Sequence, residues 1–314
     1  ELNQWLENVP TLTEDNVPIP VPGARAVIAP QIYLFFSDYL LICVIRHAGY
    51  SYSGQAAAFA YKCIDPAFVK RVFILGPSHH VYLTKCAISQ CTEYETPLGK
   101  LILDIEVINE LRQTGHFEEM SLIVDEEEHS IEMHLPYVYK ILESKIDSIK
   151  IVPIMVGSLS ESKEQLYGKI LSSYLSDPSN LFVVSSDFCH WGQRFSYTYY
   201  SDSVNTTYLS RKSNTPLSIP IYKSIENLDR EGMTIIEEMN HKEFHTYLSK
   251  TKNTICGRHP IGVLLSTIDA LQNSQEKTVT EEGEPNLPFD TTKPRIRFVH
   301  YSQSSQVTRG DDSS

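Results

Sequence analysis

The sequence predicts an α/β fold. Short apolar runs recur along the chain, helical patterns lie between them, and no internal repeat divides the chain. Strands alternating with helices argue for βαβ units around one sheet. Residues 24–28 give a first strand and residues 71–75 a second, ended by Gly76-Pro77. Residues 149–156 give a third, where Pro153 predicts an edge position or a bulge. Residues 160–175 predict a helix, with Leu166, Ile170 and Tyr174 at spacing four and Ser162 with Gln165 as a capping box. Residues 181–185 form a fourth strand. Residues 261–271 form a further helix with Pro260 at its first position, and residues 297–301 a late strand. Most of these strands are apolar throughout, as expected when both faces are covered. Residues 203–220 and 273–294 are polar and proline-bearing, which predicts surface loops, and residues 310–314 a frayed end.

At 314 residues the chain can bury a large core. Its net charge of -12 argues against general binding to a nucleic-acid backbone, which needs basic surface. Six scattered cysteines with no CxxC pair do not make a disulfide framework, so a reduced, cytoplasmic setting is expected. Residues 31–46 are mostly apolar, but Asp38 interrupts them and the pieces fall short of the ~20 residues that span a bilayer. No membrane span is expected.

Four polar cassettes carry histidine or cysteine: residues 47–50, 76–80, 186–191 and 256–260. Two of them follow predicted strands, and in open α/β sheets ligands bind outside the carboxyl ends of strands. Cys256 stands just before a helix and near Arg258. Helix dipole and guanidinium would both favour a thiolate, against the alternative of a small buried hydrophobe. His79 and His80 cannot both point into one site along an extended chain. One is expected to bind while the other stacks, caps or meets water. Gly49, two residues past His47, permits close approach of a ligand.

Together His47, His79 and Cys256 can supply three donors to a transition metal. Asp187 and His190, three apart, offer a base, a metal neighbour or a histidine orienter, with helix capping as the alternative for Asp187. Cys189 between them is read as packing. His129 and Glu132 would share a helix face, either supporting a metal ligand from behind or transferring protons, whereas Asp125 to Glu128 is read as a solvated helix start. The latter segment is not HExxH, so a zincin is excluded. Tyr197, Tyr199 and Tyr200 fit either a ligand pocket or the core. Nucleotide-binding and α/β-hydrolase motifs are absent.

At these residues the chain resembles a known family. The segments HAGYSYSG (47–54), RVFILGPSHH (71–80), DEEEHSIEMHLPY (125–137), SLSESKEQ (158–165), DPSNLFVVSSDFCHWGQRF (177–195) and NTICGRHPIGVLL (253–265) closely resemble the Memo family, mediators of receptor-driven cell motility. The resemblance runs from about residue 24 to 305. It implies a single domain over 1–314, a central mixed sheet flanked by helices and similar to class III non-haem iron extradiol dioxygenases. It also implies a metal pocket of His47, His79 and Cys256 holding copper or iron, with Asp187, His190 and His129 as catalytic candidates beside it.

The dioxygenase relatives place a carboxylate where Cys256 stands. Thiolate is softer and favours copper, zinc or thiolate-tolerant iron, which argues against ring cleavage. The function implied is a metal-binding, redox-active signalling adaptor downstream of receptor tyrosine kinases, with phosphotyrosine-containing receptor or adaptor peptides as partners. The alternatives are a non-haem metal oxidoreductase or dioxygenase acting on a small aromatic substrate, and a metal-independent phosphotyrosine-peptide module. Against the family pattern, residues 31–46 are an atypical insert just before His47, and both termini look shortened.

Overall fold

The computed structural model describes residues 1–12, 18–21, 24–29, 32–33, 50–210, 216–279 and 295–312. The elements run α1 (Leu2–Glu7), β1 (Ala26–Ala29), β2 (Ile32–Tyr33), α2 (Tyr50–Lys62), β3 (Arg71–Pro77), β4 (Cys86–Ile88), β5 (Glu93–Thr96), β6 (Gly99–Leu103), α3 (Ile105–Gln113), β7 (Glu118–Glu119), α4 (Leu122–Glu127), α5 (His129–Glu132) and α6 (Leu135–Ile141). They continue through β8 (Lys150–Val156), α7 (Glu161–Ser176), β9 (Asn180–Ser185), β10 (Tyr199–Ser201), β11 (Thr206–Tyr208), α8 (Ile221–Glu237), α9 (His241–Thr251), α10 (Arg258–Val279) and β12 (Arg297–His300).

Among the described residues, eight strands form one mixed sheet with the path β1-β9-β3-β8-β4-β7, β6 pairing with β8 and β5 with β6. The heart of it is parallel: β1 on β9, β9 on β3 and β3 on β8. The β4 strand turns antiparallel to β8. Every residue of β9 is buried, as are all but the first of β3 and β8, so these strands are apolar on both sides. One buried cluster runs from Leu6 to Val307. No described helix is long and apolar enough to cross a membrane.

The α7 and α10 helices meet where glycines stand at the contact and leave no room for a side chain. A Cβ on Gly168 would lie 2.5 Å from the Ser266 backbone. One on Gly262 would lie 2.1 Å from the Glu164 carboxylate. This notch lets a charged side chain sit between two helices.

Several local expectations are corrected. Pro153 lies in an interior strand, with no edge or bulge: β3 pairs along the whole of β8 on one side. On the other side β6 takes Lys150 and Ile151, and β4 takes Ile154 to Val156. Pro153 therefore falls where the partner changes. The α7 cap is Ser160, whose hydroxyl accepts from Lys163 N–H, so the helix starts before the expected Ser162 box. The α10 helix starts at Arg258, which makes Pro260 its third residue; the first four helical N–H groups have no intrahelical acceptor, so proline is tolerated there. The expected loop 203–220 contains β11, which pairs with β10, and the expected loop 273–294 begins inside α10, which runs to Val279. Residues 211–215 and 280–294 of those loops lie outside the described residues. The atypical insert 31–46 lies outside them too, except for Ile32 and Tyr33, which pair with β12.

Candidate functional site

Two donor groups gather at the carboxyl ends of the neighbouring strands β3 and β9. The first follows β3. After Pro77 the chain turns, with Ser78 N–H donating to Val156 O at 3.1 Å and Ser78 Oγ to Val81 O at 2.5 Å. His79 is then gripped twice by Glu128: its backbone N–H donates to Oε2 at 2.7 Å, and its Nδ1 lies 2.9 Å from Oε1. Glu128 also caps α5, accepting from Ser130 N–H at 2.9 Å. The helix is fastened to the strand end by Ser130 Oγ donating to Pro77 O at 2.8 Å. Gly76 permits that approach, since a Cβ there would sit 2.5 Å from Ser130 Oγ.

Burial alone would raise the Glu128 carboxyl. The hydrogen bonds from His79 and Ser130 overcome it and bring the pKa to about 2. A fixed carboxylate on Nδ1 is the usual way a ligating imidazole is oriented, and it would direct Nε2 toward a metal. The His79 ring stacks on His129 with centroids 4.7 Å apart, and the His80 ring meets His129 edge-on at 5.7 Å. Both adjacent histidines thus reach the same neighbour, one with its face and one with its edge.

The second group joins the end of β9 to the start of α10. Cys256 N–H donates to Asp187 O at 3.1 Å, and Asp187 N–H donates to Cys256 Sγ at 2.9 Å. Gly257 N–H donates to Ser186 Oγ at 3.1 Å. His190 N–H donates to Thr254 Oγ1 at 2.7 Å, and its Nδ1 lies 3.0 Å from Thr254 O. That anchoring turns Nε2 toward Asp187, 3.4 Å from Oδ2. Asp187 therefore faces histidine and cysteine instead of capping a helix.

Donor atoms of Asp187, His190 and Cys256 all lie within 4.8 Å of one another, as do those of His79, Glu128 and His129. The two groups sense each other. Burial and the neighbouring His79 lower the His129 pKa, His80 lowers it further, and the charges of Glu128 and Asp187 oppose that. The balance of these influences favours the uncharged imidazole, the form that a base or ligand uses.

Cys256 departs from expectation. Burial pushes its thiol well above the ordinary value and the charge of Asp187 adds to this, while N–H donors from Asp187 and Gly257 offset only part. Arg258 is no help, because its guanidinium turns back to donate to Ile255 O at 3.3 Å. The missing positive charge is what a bound metal would supply. Sulfur, imidazole nitrogen and carboxylate oxygen at this spacing suit a borderline or soft transition ion with bonds of about 2.0–2.3 Å.

Of the residues singled out in the sequence, the structure gathers Asp187, His190 and Cys256 into one group and His79 and His129 into the other. His47 and Gly49 lie outside the described residues. Cys189 is buried, as packing requires, and Tyr197, Tyr199 and Tyr200 belong to the core. Tyr197 Oη donates to Thr251 O at 2.9 Å and Tyr200 Oη to Ile219 O at 3.1 Å, so these two phenols are committed internally.

The run Asp125 to Glu128 is not a helix start, and within it only Glu126 and Glu127 are exposed. The α4 helix begins at Leu122, Asp125 accepts from Ser89 Oγ and Tyr94 Oη, and Glu128 is 2% exposed. Glu128 was thus overlooked as a site residue. So was a third group, Glu164 with His241 and His245, whose only sequence signal is two histidines four apart.

Comparison with known proteins identifies the family. The family model described as Memo-like protein matches residues 37–314. Protein MEMO1 of Homo sapiens is 48% identical over 314 residues, covering 100% of this chain and 88% of the relative. Protein MEMO1 of Xenopus laevis matches with the same identity and coverage. The Protein memo-1 homolog of Caenorhabditis elegans is 43% identical over 314 residues, covering 100% of this chain and 74% of that one. Among solved structures, the uncharacterized protein JW3007 of Escherichia coli K12 covers 65% of this chain and 77% of its own at a TM-score of 0.36 and 12% identity, too distant to carry an argument. The strand-end donors lie within the span of the family match, and the chain belongs to the Memo-like protein family.

Proposed function

We propose that this chain is a metal-binding Memo-type adaptor, which holds one copper or iron ion in the strand-end pocket and acts in the cytoplasm downstream of receptor tyrosine kinases in cell motility. The observation that carries the metal reading is the convergence of Cys256, Asp187 and His190 within 4.8 Å, at the end of the strand that pairs with the one leading to the His79–Glu128–His129 group. His79 and Cys256 are the proposed protein ligands together with His47. Glu128 orients the His79 ring, and Asp187 and His190 border the ion. A copper or iron ion bound there would supply redox chemistry. His79, Cys256 and His47 would hold it, with His129 and His190 as candidate bases beside it.

Phosphotyrosine peptides are the proposed partners. The exposed Arg194, its guanidinium 4.5 Å over Phe195 beside His190, is the cation at the rim that would meet the phosphate. A second reading, turnover of a small aromatic substrate, draws on the lowered His129 pKa next to the donor groups. Oxygen uptake by the iron(II)-loaded protein with catechols would support it, and none would reject it.

The test of the metal reading is copper(I) affinity by chelator competition. Loss of an outer partner of a metal ligand costs about 10–100-fold, so removing two ligands in His79→Ala/Cys256→Ala is expected to weaken binding by at least about 100-fold. Unchanged affinity in the folded variant would reject the pocket as the copper site.

A further inference from the structure

Away from the donors just described, Glu164 of α7 sits in the Gly262 notch, 1% exposed. Two histidines of α9 aim at one of its oxygens: His241 Nε2 and His245 Nε2 each lie 2.7 Å from Oε2. They are four apart, so both rings leave the same helix face, and they meet with centroids 4.8 Å apart at 77°. A third, His259 of α10, places Nδ1 2.7 Å from the other oxygen, Oε1. A buried carboxylate could accept from histidines for its own satisfaction alone. Here, however, two nitrogens converge on one oxygen while the third fixes the opposite oxygen. That is the division between ligands and orienting partner found at metal sites.

We propose that Glu164 Oε2, His241 Nε2 and His245 Nε2 form a second metal site, for zinc or a similar borderline divalent ion, with His259 as the positioning residue. Two imidazoles and a carboxylate are a recognised zinc donor set that leaves one position for water. The three donor atoms lie within 4.8 Å of one another. Tetrahedral bonds of about 2.0–2.2 Å put donors about 3.3–3.6 Å apart, so the 2.7 Å contacts must open by about 0.6–0.9 Å. The side chain of His245 is 26% exposed, which gives the ion a way in from solvent, while His241 is 10% exposed. Bound there, the ion ties α7 to α9 directly and to α10 through His259.

The test is zinc titration of the whole chain by calorimetry, with thermal unfolding alongside. Wild-type protein and Cys256→Ser are both expected to show a zinc-dependent rise in Tm from this site, which separates it from the strand-end pocket. His245→Ala is expected to bind one zinc fewer, or to bind it at least about tenfold more weakly, with native circular dichroism. His241→Ala, on the preceding turn, should behave alike and serves if His245→Ala does not fold. Zinc binding that is lost entirely in Cys256→Ser, or that is unchanged in the folded His245→Ala or His241→Ala protein, overturns the proposal.

Discussion

Gly257→Ala is expected to lower unfolding free energy by about 3 kcal/mol or more and to disable the strand-end pocket. A Cβ at Gly257 would lie 2.2 Å from Ser186 Cβ and 2.4 Å from Ser185 O. Neither atom belongs to the far end of a flexible side chain, so no rotamer relieves the clash. The end of β9 and the start of α10 must move apart instead. That movement breaks the paired contacts Cys256 N–H to Asp187 O and Asp187 N–H to Cys256 Sγ. Urea unfolding and copper(I) competition on the same preparation read both consequences. A midpoint and an affinity equal to wild type would show that the strand end and the helix start are not clamped together as described.

Trp191→Ala is expected to cost about 3–5 kcal/mol, the range for deleting a buried aromatic side chain. The Trp191 side chain is fully buried, and its indole N–H donates to Tyr199 O at 2.8 Å. It pins the segment that carries Asp187 and His190 against β10. Trp191→Phe keeps an aromatic ring and loses the hydrogen bond, so about 1–2 kcal/mol is expected from it. Equilibrium denaturation of the two variants checks the ordering. A cost below about 1 kcal/mol for the alanine variant would mean that this anchor does little.

The sheet was legible where its strands are buried on both faces. The β3, β8 and β9 strands are runs of Val, Ile, Leu and Phe, and their bounds follow from those runs to within two residues. The strands beyond β8, from β4 to β7, were not legible. The β7 strand is two glutamates, Glu118 and Glu119, paired through backbone alone, and no side-chain pattern announces it. The α8 helix carries Ile221, Ile225 and Leu228 on its buried face, a readable spacing lost beside a polar, proline-bearing stretch.

The site divides the same way. His79, Asp187, His190 and Cys256 stood out because they follow strand ends or precede a helix. Glu128 did not, because in sequence it is the last acid of a charged run, and only burial beneath His79 sets it apart. The protonation of Cys256 was misjudged for a related reason. Sequence shows Arg258 nearby, while desolvation and the direction of a guanidinium are set by the fold. Glu164 and its histidines lie up to 95 residues apart and meet only through the packing of three helices.

Cys256 is the proposed thiolate ligand of the strand-end pocket, and X-ray absorption at the copper edge reads its bond to the metal. The protein is loaded with one equivalent of copper(I), which prefers thiolate over the nitrogen and oxygen donors around Glu164. The expected result is a sulfur shell at about 2.3 Å, alongside nitrogen at about 2.0 Å, with the sulfur shell absent from Cys256→Ala. A spectrum fitted by nitrogen and oxygen alone, the same in wild type and Cys256→Ala, would contradict it.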